Sequence, residues 1–324
     1  MNSLKNKKIL VIGGCGFIGS HVVEELLKEK VKKILIFDNF SRGKKNNIEN
    51  FLRDKRVEIY PNGGDIRDID VLNDAMKGID YVIHLAALWL LHCKDYPRAA
   101  FKVNIEGTFN VLETCVKNKI KRLIYSSSAS VYGDAIKLPM TEEHPFNNKN
   151  FYGATKISSE AMCRAFYDRY KLNYVGLRYM NVYGPRQDQK AAYNGVIPNL
   201  LDKIDKNQPL IIDGDGSQSY DFINVEDAAR CNVLALKSQM VDKFYNVGTG
   251  KKTSIKNLCK LIVKLKKKNT KITFKPYKLD DARRQIKNRV SSTKLSRKDL
   301  KFKYKYSLKN GLKKLILWRN KSVE

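Results

Sequence analysis

Paired cysteines are missing from this chain. Its 324 residues include six, Cys15, Cys93, Cys115, Cys163, Cys231 and Cys259, each standing alone. None forms a Cys-x-x-Cys unit, and no His/Cys cluster has zinc spacing, so neither a disulfide framework nor a structural metal is expected. The cysteines read as small buried residues in a reducing compartment. Long apolar runs are missing too, which leaves no candidate membrane span. No signal-peptide cleavage site follows Met1–Lys8, so the expected location is cytoplasmic. Acidic residues are scarce: 33 Asp and Glu face 62 Lys and Arg, a formal charge of +29. Such charge suits nucleic acid, an anionic membrane or anionic ligands. The basic residues are spread along the chain, with local crowding at Lys264–Lys268, and no aromatic–basic RNA motif accompanies them. Nucleic acid is therefore not the expected partner, and lysine simply fills exposed positions. The same charge would still help capture an anionic nucleotide.

What is present is a globular composition, 43% hydrophobic, in short apolar runs separated by glycine. Strand signals at Lys8–Ile12, Ile34–Phe37, Val57–Tyr60, Tyr81–His84, Arg122–Tyr125 and Tyr174–Arg178 alternate with helical periodicity. The helices are expected at 19–29, 71–76, 99–117 and 154–170. That alternation predicts an α/β fold with a doubly wound parallel sheet of the Rossmann type. After Asn181 the texture changes, with turn signals at Gly184-Pro185, Pro198, Pro209 and Gly214-Asp-Gly216. Residues 1–180 with 223–249 are expected to form a dinucleotide-binding domain. Residues 181–222 with 250–324 are expected to form a smaller substrate-binding α/β domain.

The first strand runs into Gly13-Gly-Cys-Gly16-Phe-Ile-Gly19 and then a helix. Glycines at this spacing let the backbone turn tightly and approach a pyrophosphate, which then sits on the helix N-terminus. The strand–loop–helix setting is what a dinucleotide site requires. Asp38, followed by Asn39, ends the second strand. Its carboxylate would accept ribose hydroxyls and repel a 2′-phosphate, which favours NAD over NADP. Asp65 and Ile66 follow the Gly63-Gly64 turn; they either bracket the adenine or serve only the turn.

Tyr152 and Lys156 stand four residues apart, on one face of a helix. A lysine ammonium beside a phenol is expected to favour the phenolate and lower its pKa. That would make Tyr152 a general base for an alcohol proton. The pair means little by itself and gains weight from the glycine loop upstream and from Ser126–Ser130 between them. Those hydroxyls end a parallel strand, where ligands bind, and Ser128 is the one expected to meet a substrate hydroxyl.

These residues carry a family resemblance. Gly13–Gly19, Asp38, Asp65-Ile66, His84-Leu-Ala-Ala87, Ser126–Gly133, Tyr152–Lys156, Arg178–Arg186 and Tyr245–Thr249 occur in this order. The chain resembles the extended short-chain dehydrogenases/reductases that act on nucleotide sugars, most closely the UDP-glucose 4-epimerase-like ones. The resemblance implies NAD as cofactor, a nucleotide-diphosphate sugar as substrate, and a homodimer formed by the helices at 99–117 and 154–170. It implies Tyr152 as base, Lys156 as its partner at the nicotinamide ribose, and Ser128 at the sugar O4. Gly13, Gly16, Phe17, Ile18 and Gly19 match the phosphate loop, and Asp38 and Asn39 the adenosine ribose. Ala86 and Tyr179 match residues beside the cofactor, Asn181 a donor to the diphosphate, and Asn104 a structural amide behind the site.

Two departures narrow the chemistry. Dehydratase relatives carry an acidic pair, and decarboxylase relatives a glutamate, where this chain has Ala129 and Ser130. That argues for reversible oxidation at C4 without elimination. Tyr220 stands where many relatives place a phosphate-binding arginine. Arg283, Arg284 and Arg289 are the candidates for that charge, and Arg283 is the assigned one. The unusually apolar Leu88–Cys93 either walls the sugar or packs the two domains together.

Overall fold

A computed structural model describes residues 2–187, 195–276 and 286–321. Its frame is a seven-stranded parallel sheet in the order β11-β6-β5-β4-β1-β2-β3. The strands are β1 (Lys8–Ile12), β2 (Lys33–Phe37), β3 (Val57–Ile59), β4 (Tyr81–His84), β5 (Arg122–Ser128), β6 (Tyr174–Tyr179) and β11 (Lys243–Val247). Strands β1, β2 and β4 read as near-continuous apolar runs because both faces of the sheet are covered. Helices α1 (Phe17–Leu27) and α8 (Val225–Lys237) pack on one face; α2 (Ile69–Ala75), α5 (Gly107–Lys117) and α6 (Phe151–Tyr170) pack on the other. Ile9, Val11 and Ile36 lie in the first layer, Leu10, Ile12 and Phe37 in the second. Burying each such side chain contributes about 1.5–3 kcal/mol. The strand order reverses between β1 and β4, and a crevice opens there at the carboxyl ends.

The expected helix over 99–117 is three pieces. A short α4 (Pro97–Ala100) passes into a π-helical turn at Phe101–Glu106, and α5 follows. The apolar spacing survives one inserted residue, so periodicity alone does not register the slip. The segment Leu88–Cys93 is no simple loop, since α3 (Leu90–Asp95) begins inside it.

A third apolar cluster unites α7 (Val196–Asp205), α9 (Ile255–Lys266) and α11 (Leu308–Lys321) beside small sheets. These sheets contain β7 (Asn181–Tyr183), β8 (Leu210–Asp213), β9 (Ser219–Tyr220), β10 (Phe222–Asn224), β12 (Thr253–Ser254), β13 (Ile272–Lys275) and β14 (Asn288–Arg289). Helix α10 (Lys294–Leu300) precedes α11. Among the described residues, no helix is long and apolar enough to cross a membrane.

Candidate active site

The glycine loop fits a dinucleotide by what it leaves out. Gly13 has φ +80°, and a Cβ there would lie 2.9 Å from the Ala86 nitrogen across the crevice. A Cβ on Gly19 would lie 2.0 Å from the Gly13 carbonyl oxygen, so only glycine lets α1 start this close to β1. Gly16 caps α1 with no side chain, which leaves the helix N-terminus open to an anion.

Asp38 is almost wholly buried. It accepts from the Cys15 amide at 2.8 Å and the Phe40 amide at 2.9 Å. Burial raises its pKa, and the two amides pull it back down. The carboxylate thus fixes the glycine loop and still has lone pairs for a ligand. The surrounding cleft encloses about 870 Å³. Gly13, Gly16, Phe17, Ile18, Gly19, Asp38, Asn39, Asp65, Ile66 and Ala86, all expected at the cofactor, line it together. Asp65 also pairs with Arg67 at 2.5 Å, which holds its carboxyl below the usual range.

Residues that the sequence reading assigned elsewhere line this cleft as well. Leu88, Trp89 and His92 face it, while Leu91 and Cys93 are buried in packing. The Arg42 guanidinium lies 4.6 Å from the Trp89 ring centre, and both residues line the cleft. An aromatic beside a basic residue on a glycine-rich loop is a weak sequence signal, because their partnership spans 47 positions.

The second half of the site is built on the carboxyl ends of β5 and β6 and the first turns of α6. Asn150 caps α6 by accepting from the Gly153 amide at 2.8 Å, which places Tyr152 in the opening turn. The Ser128 hydroxyl stands near enough to the Tyr152 phenol to pull its pKa down. Ser128 also accepts from the Ser130 amide at 3.1 Å, so its oxygen is fixed in place. Lys156 is buried; its Nζ donates to the Ser126 carbonyl at 2.6 Å and lies 5.8 Å from the Tyr152 ring centre.

The expected electrostatics of this pair need correction. Burial pushes the Tyr152 phenol up to about 12, and the groups pulling it down are the Ser128 hydroxyl and the Arg289 charge. Lys156 is itself lowered to about 8, chiefly by burial. Its ammonium donates to the Ser126 carbonyl, and Lys156 is not among the groups that shift the phenol, so the dyad is joined by position more than by charge.

Asn104 joins the two halves of the site. From the π-helical turn its oxygen accepts the Leu88 amide at 2.7 Å, and its amide donates to the Leu88 carbonyl at 2.9 Å. The same amide reaches Thr155 Oγ1, between Tyr152 and Lys156, at 3.1 Å. The cleft wall and the catalytic helix are therefore tied to one buried side chain, which fits its expected structural role. Tyr179 is buried and donates to Asn232 Oδ1 at 2.9 Å. Asn181 lies two residues on, its side-chain amide donating to the Asp221 carbonyl at 3.2 Å. Ala129 and Ser130, which follow Ser128, are buried. Arg283 and Arg284 lie outside the described residues; Arg289 is described and buried.

A doubly wound sheet, a phosphate-binding glycine turn at its switch point, and a Ser/Tyr/Lys cluster beside it define a dinucleotide-dependent redox fold. Residues 9–248 match the model of the NAD dependent epimerase/dehydratase family, and the chain belongs to that family. It is 36% identical to a putative UDP-glucose 4-epimerase of Methanocaldococcus jannaschii, over 96% of this chain and 97% of that one. It is 31% identical to a UDP-N-acetyl-alpha-D-glucosaminuronate decarboxylase of Bacillus cytotoxicus, over 96% and 97%. Among solved structures it superposes on a UDP-N-acetylglucosamine 4-epimerase from Methanobrevibacter ruminantium M1, in complex with UDP-N-acetylmuramic acid. That match has a TM-score of 0.91 and 33% identity, and covers 98% and 99% of the two chains. The protein is thus an NAD-dependent enzyme of a family that works on nucleotide sugars.

Proposed function

We propose that the chain is a nucleotide-sugar 4-epimerase of the UDP-glucose or UDP-N-acetylglucosamine type. The observation that carries this reading is the Ser128 hydroxyl, held by the Ser130 amide beside the Tyr152 phenol, with no acid at Ala129 or Ser130. Both hydroxyls would meet the sugar O4. Ser128 would orient the alcohol, and Tyr152 would act through its minor phenolate form, which Ser128 and Arg289 favour, taking the alcohol proton and later returning it. When bound, NAD supplies the hydride acceptor at C4 and, on the return, the donor. Lys156 would hold the nicotinamide ribose, and Tyr179, fixed through Asn232, would stand beside it. Asn181 reaches toward the diphosphate, whose binding energy, remote from C4, positions the sugar.

Residues 1–180 with 223–249 would hold the cofactor, and 181–222 with 250–324 the nucleotide sugar. We also read the enzyme as a cytoplasmic homodimer. The second reading is net NAD(P)-dependent oxidation or reduction, or the decarboxylation that the Bacillus cytotoxicus relative's name gives. Elimination and decarboxylation lack their acid here, which favours epimerisation. The experiment is incubation of the NAD-loaded protein with UDP-, dTDP- and GDP-hexoses, followed by proton NMR at C4. Inversion at C4 without accumulating reduced nicotinamide supports the epimerase; stoichiometric reduced nicotinamide supports net oxidation.

A further inference from the structure

A fully buried ion pair lies one helical turn beyond Lys156. Glu160 and Arg178 are each 1% exposed. Arg178 donates from Nε to Glu160 Oε1 at 2.9 Å and from Nη2 to Oε2 at 2.7 Å. The Ser127 hydroxyl adds a third donor, to Oε1 at 2.5 Å. The remaining nitrogen of Arg178, Nη1, donates to Tyr132 Oη at 2.8 Å and to the Glu142 carbonyl at 2.7 Å. Such a pair adds little to stability, because two charges must leave water to form it. Its placement gives it another task.

Tyr152, Lys156 and Glu160 follow at four-residue intervals along one face of α6. Each meets one of three successive residues at the end of β5. Lys156 Nζ donates to the Ser126 carbonyl, Glu160 accepts the Ser127 hydroxyl, and the Tyr152 phenol stands beside Ser128. Arg178 is the partner of Ser127 in the register of β5 and β6. Glu160 is thus gripped from two adjacent strands, at the turn that follows Lys156.

The groups around the Lys156 ammonium are otherwise uncharged near neutral pH. The Tyr125 ring centre lies 5.0 Å from Nζ and the Tyr152 ring centre 5.8 Å, and burial raises both phenols. Burial pushes the Cys93 thiol of α3 up to about 11 and raises Cys163 of α6 as well. It lowers His84 of β4 to about 3. Among the described residues, Glu160 is the carboxylate that acts on Lys156, and it opposes the burial that lowers the lysine.

We propose that Glu160 is a positioning residue of the cofactor site: clamped by Ser127 and Arg178, it holds the Lys156 ammonium in place for the nicotinamide ribose. The proposal rests on the placement of Lys156 given above and adds the group that keeps its charge there.

The test is calorimetric titration of the protein with NAD from pH 6.5 to 9. It compares the wild type with Glu160→Gln and with the double variant Glu160→Gln, Arg178→Met. Lys156 is lowered to about 8, so about half of its ammonium is gone at pH 8, and wild-type affinity should fall about twofold between pH 6.5 and 8. Without the carboxylate the lysine gives up its proton at lower pH, so both variants should lose more than that about twofold over the same interval. Arg178 is not among the groups acting on Lys156, so the two variants should agree. The double variant leaves no guanidinium buried without its acid, and it stands in if the single one fails to fold. A clamp that serves the fold alone would weaken binding equally at every pH. That result overturns the proposal, as does unchanged affinity in both variants, or a wild-type affinity that ignores pH. A variant shift as expected, in a protein that inverts no sugar at C4, sinks the epimerase reading and leaves this one intact.

Discussion

Asp38 carries two loads, and a one-atom change separates them. Its two oxygens accept from the Cys15 and Phe40 amides, and its charge faces the expected adenosine ribose. Asparagine keeps the shape but offers one acceptor and a donor, so one amide in the glycine loop loses its partner. Leaving a buried N–H unpaired costs about 1–3 kcal/mol. Asp38→Asn is therefore expected to bind NAD at least roughly tenfold more weakly, with the preference against NADP reduced. Fluorescence titration with both cofactors checks this, and unchanged affinity and selectivity would remove Asp38 from the cofactor site. The Tyr152 and Lys156 pair teaches a different lesson at this scale. Spacing alone brings the side chains together, but which atom the ammonium contacts depends on the Ser126 carbonyl of another strand.

At the scale of elements, β1, β2 and β4 were legible because each is apolar along nearly its whole length, and β1, β2 and β5 because they end at glycine, aspartate or serine. The glycine loop and the Tyr152 turn were legible for the same reason: their chemistry is local. The π-helical turn was not, because a one-residue slip preserves the apolar spacing, nor was the Arg42–Trp89 contact, which joins distant segments. Arg289 stayed one of three candidates because its register against Tyr220 is a long-range fact.

The helices that carry Asn104 and Tyr152 also show exposed aromatics. Phe101, Phe109, Phe151 and Tyr170 are all solvent-exposed, on the π-helical turn, α5 and α6. Large apolar side chains gathered on neighbouring helices suit an interface. Light scattering is expected to give twice the chain mass of 37.3 kDa. Phe109→Glu with Phe151→Glu should return the monomer mass, and a wild-type monomer would contradict the interface.

For the whole molecule, acid stability follows from two buried histidines. Burial lowers His84 to about 3 and His21 to about 4. In the unfolded chain both return to the usual value near 6.5. Between those values the unfolded state binds more protons, so stability is full above about pH 6.5 and is lost as pH falls toward 4 and then 3. Each histidine should cost about 2–3 kcal/mol at pH 4.5. Urea unfolding at pH 7 and 4.5 measures the slope, and His84→Gln should flatten it. An unchanged slope in that variant would contradict the assignment. The measurement closest to the central claim is the C4 proton signal of UDP-glucose and UDP-N-acetylglucosamine, incubated with NAD-loaded wild-type protein and Tyr152→Phe. The account predicts inversion at C4 by the wild type and a rate about 10²–10⁴-fold lower in the variant, with NAD still bound. A near-wild-type rate in Tyr152→Phe would contradict it.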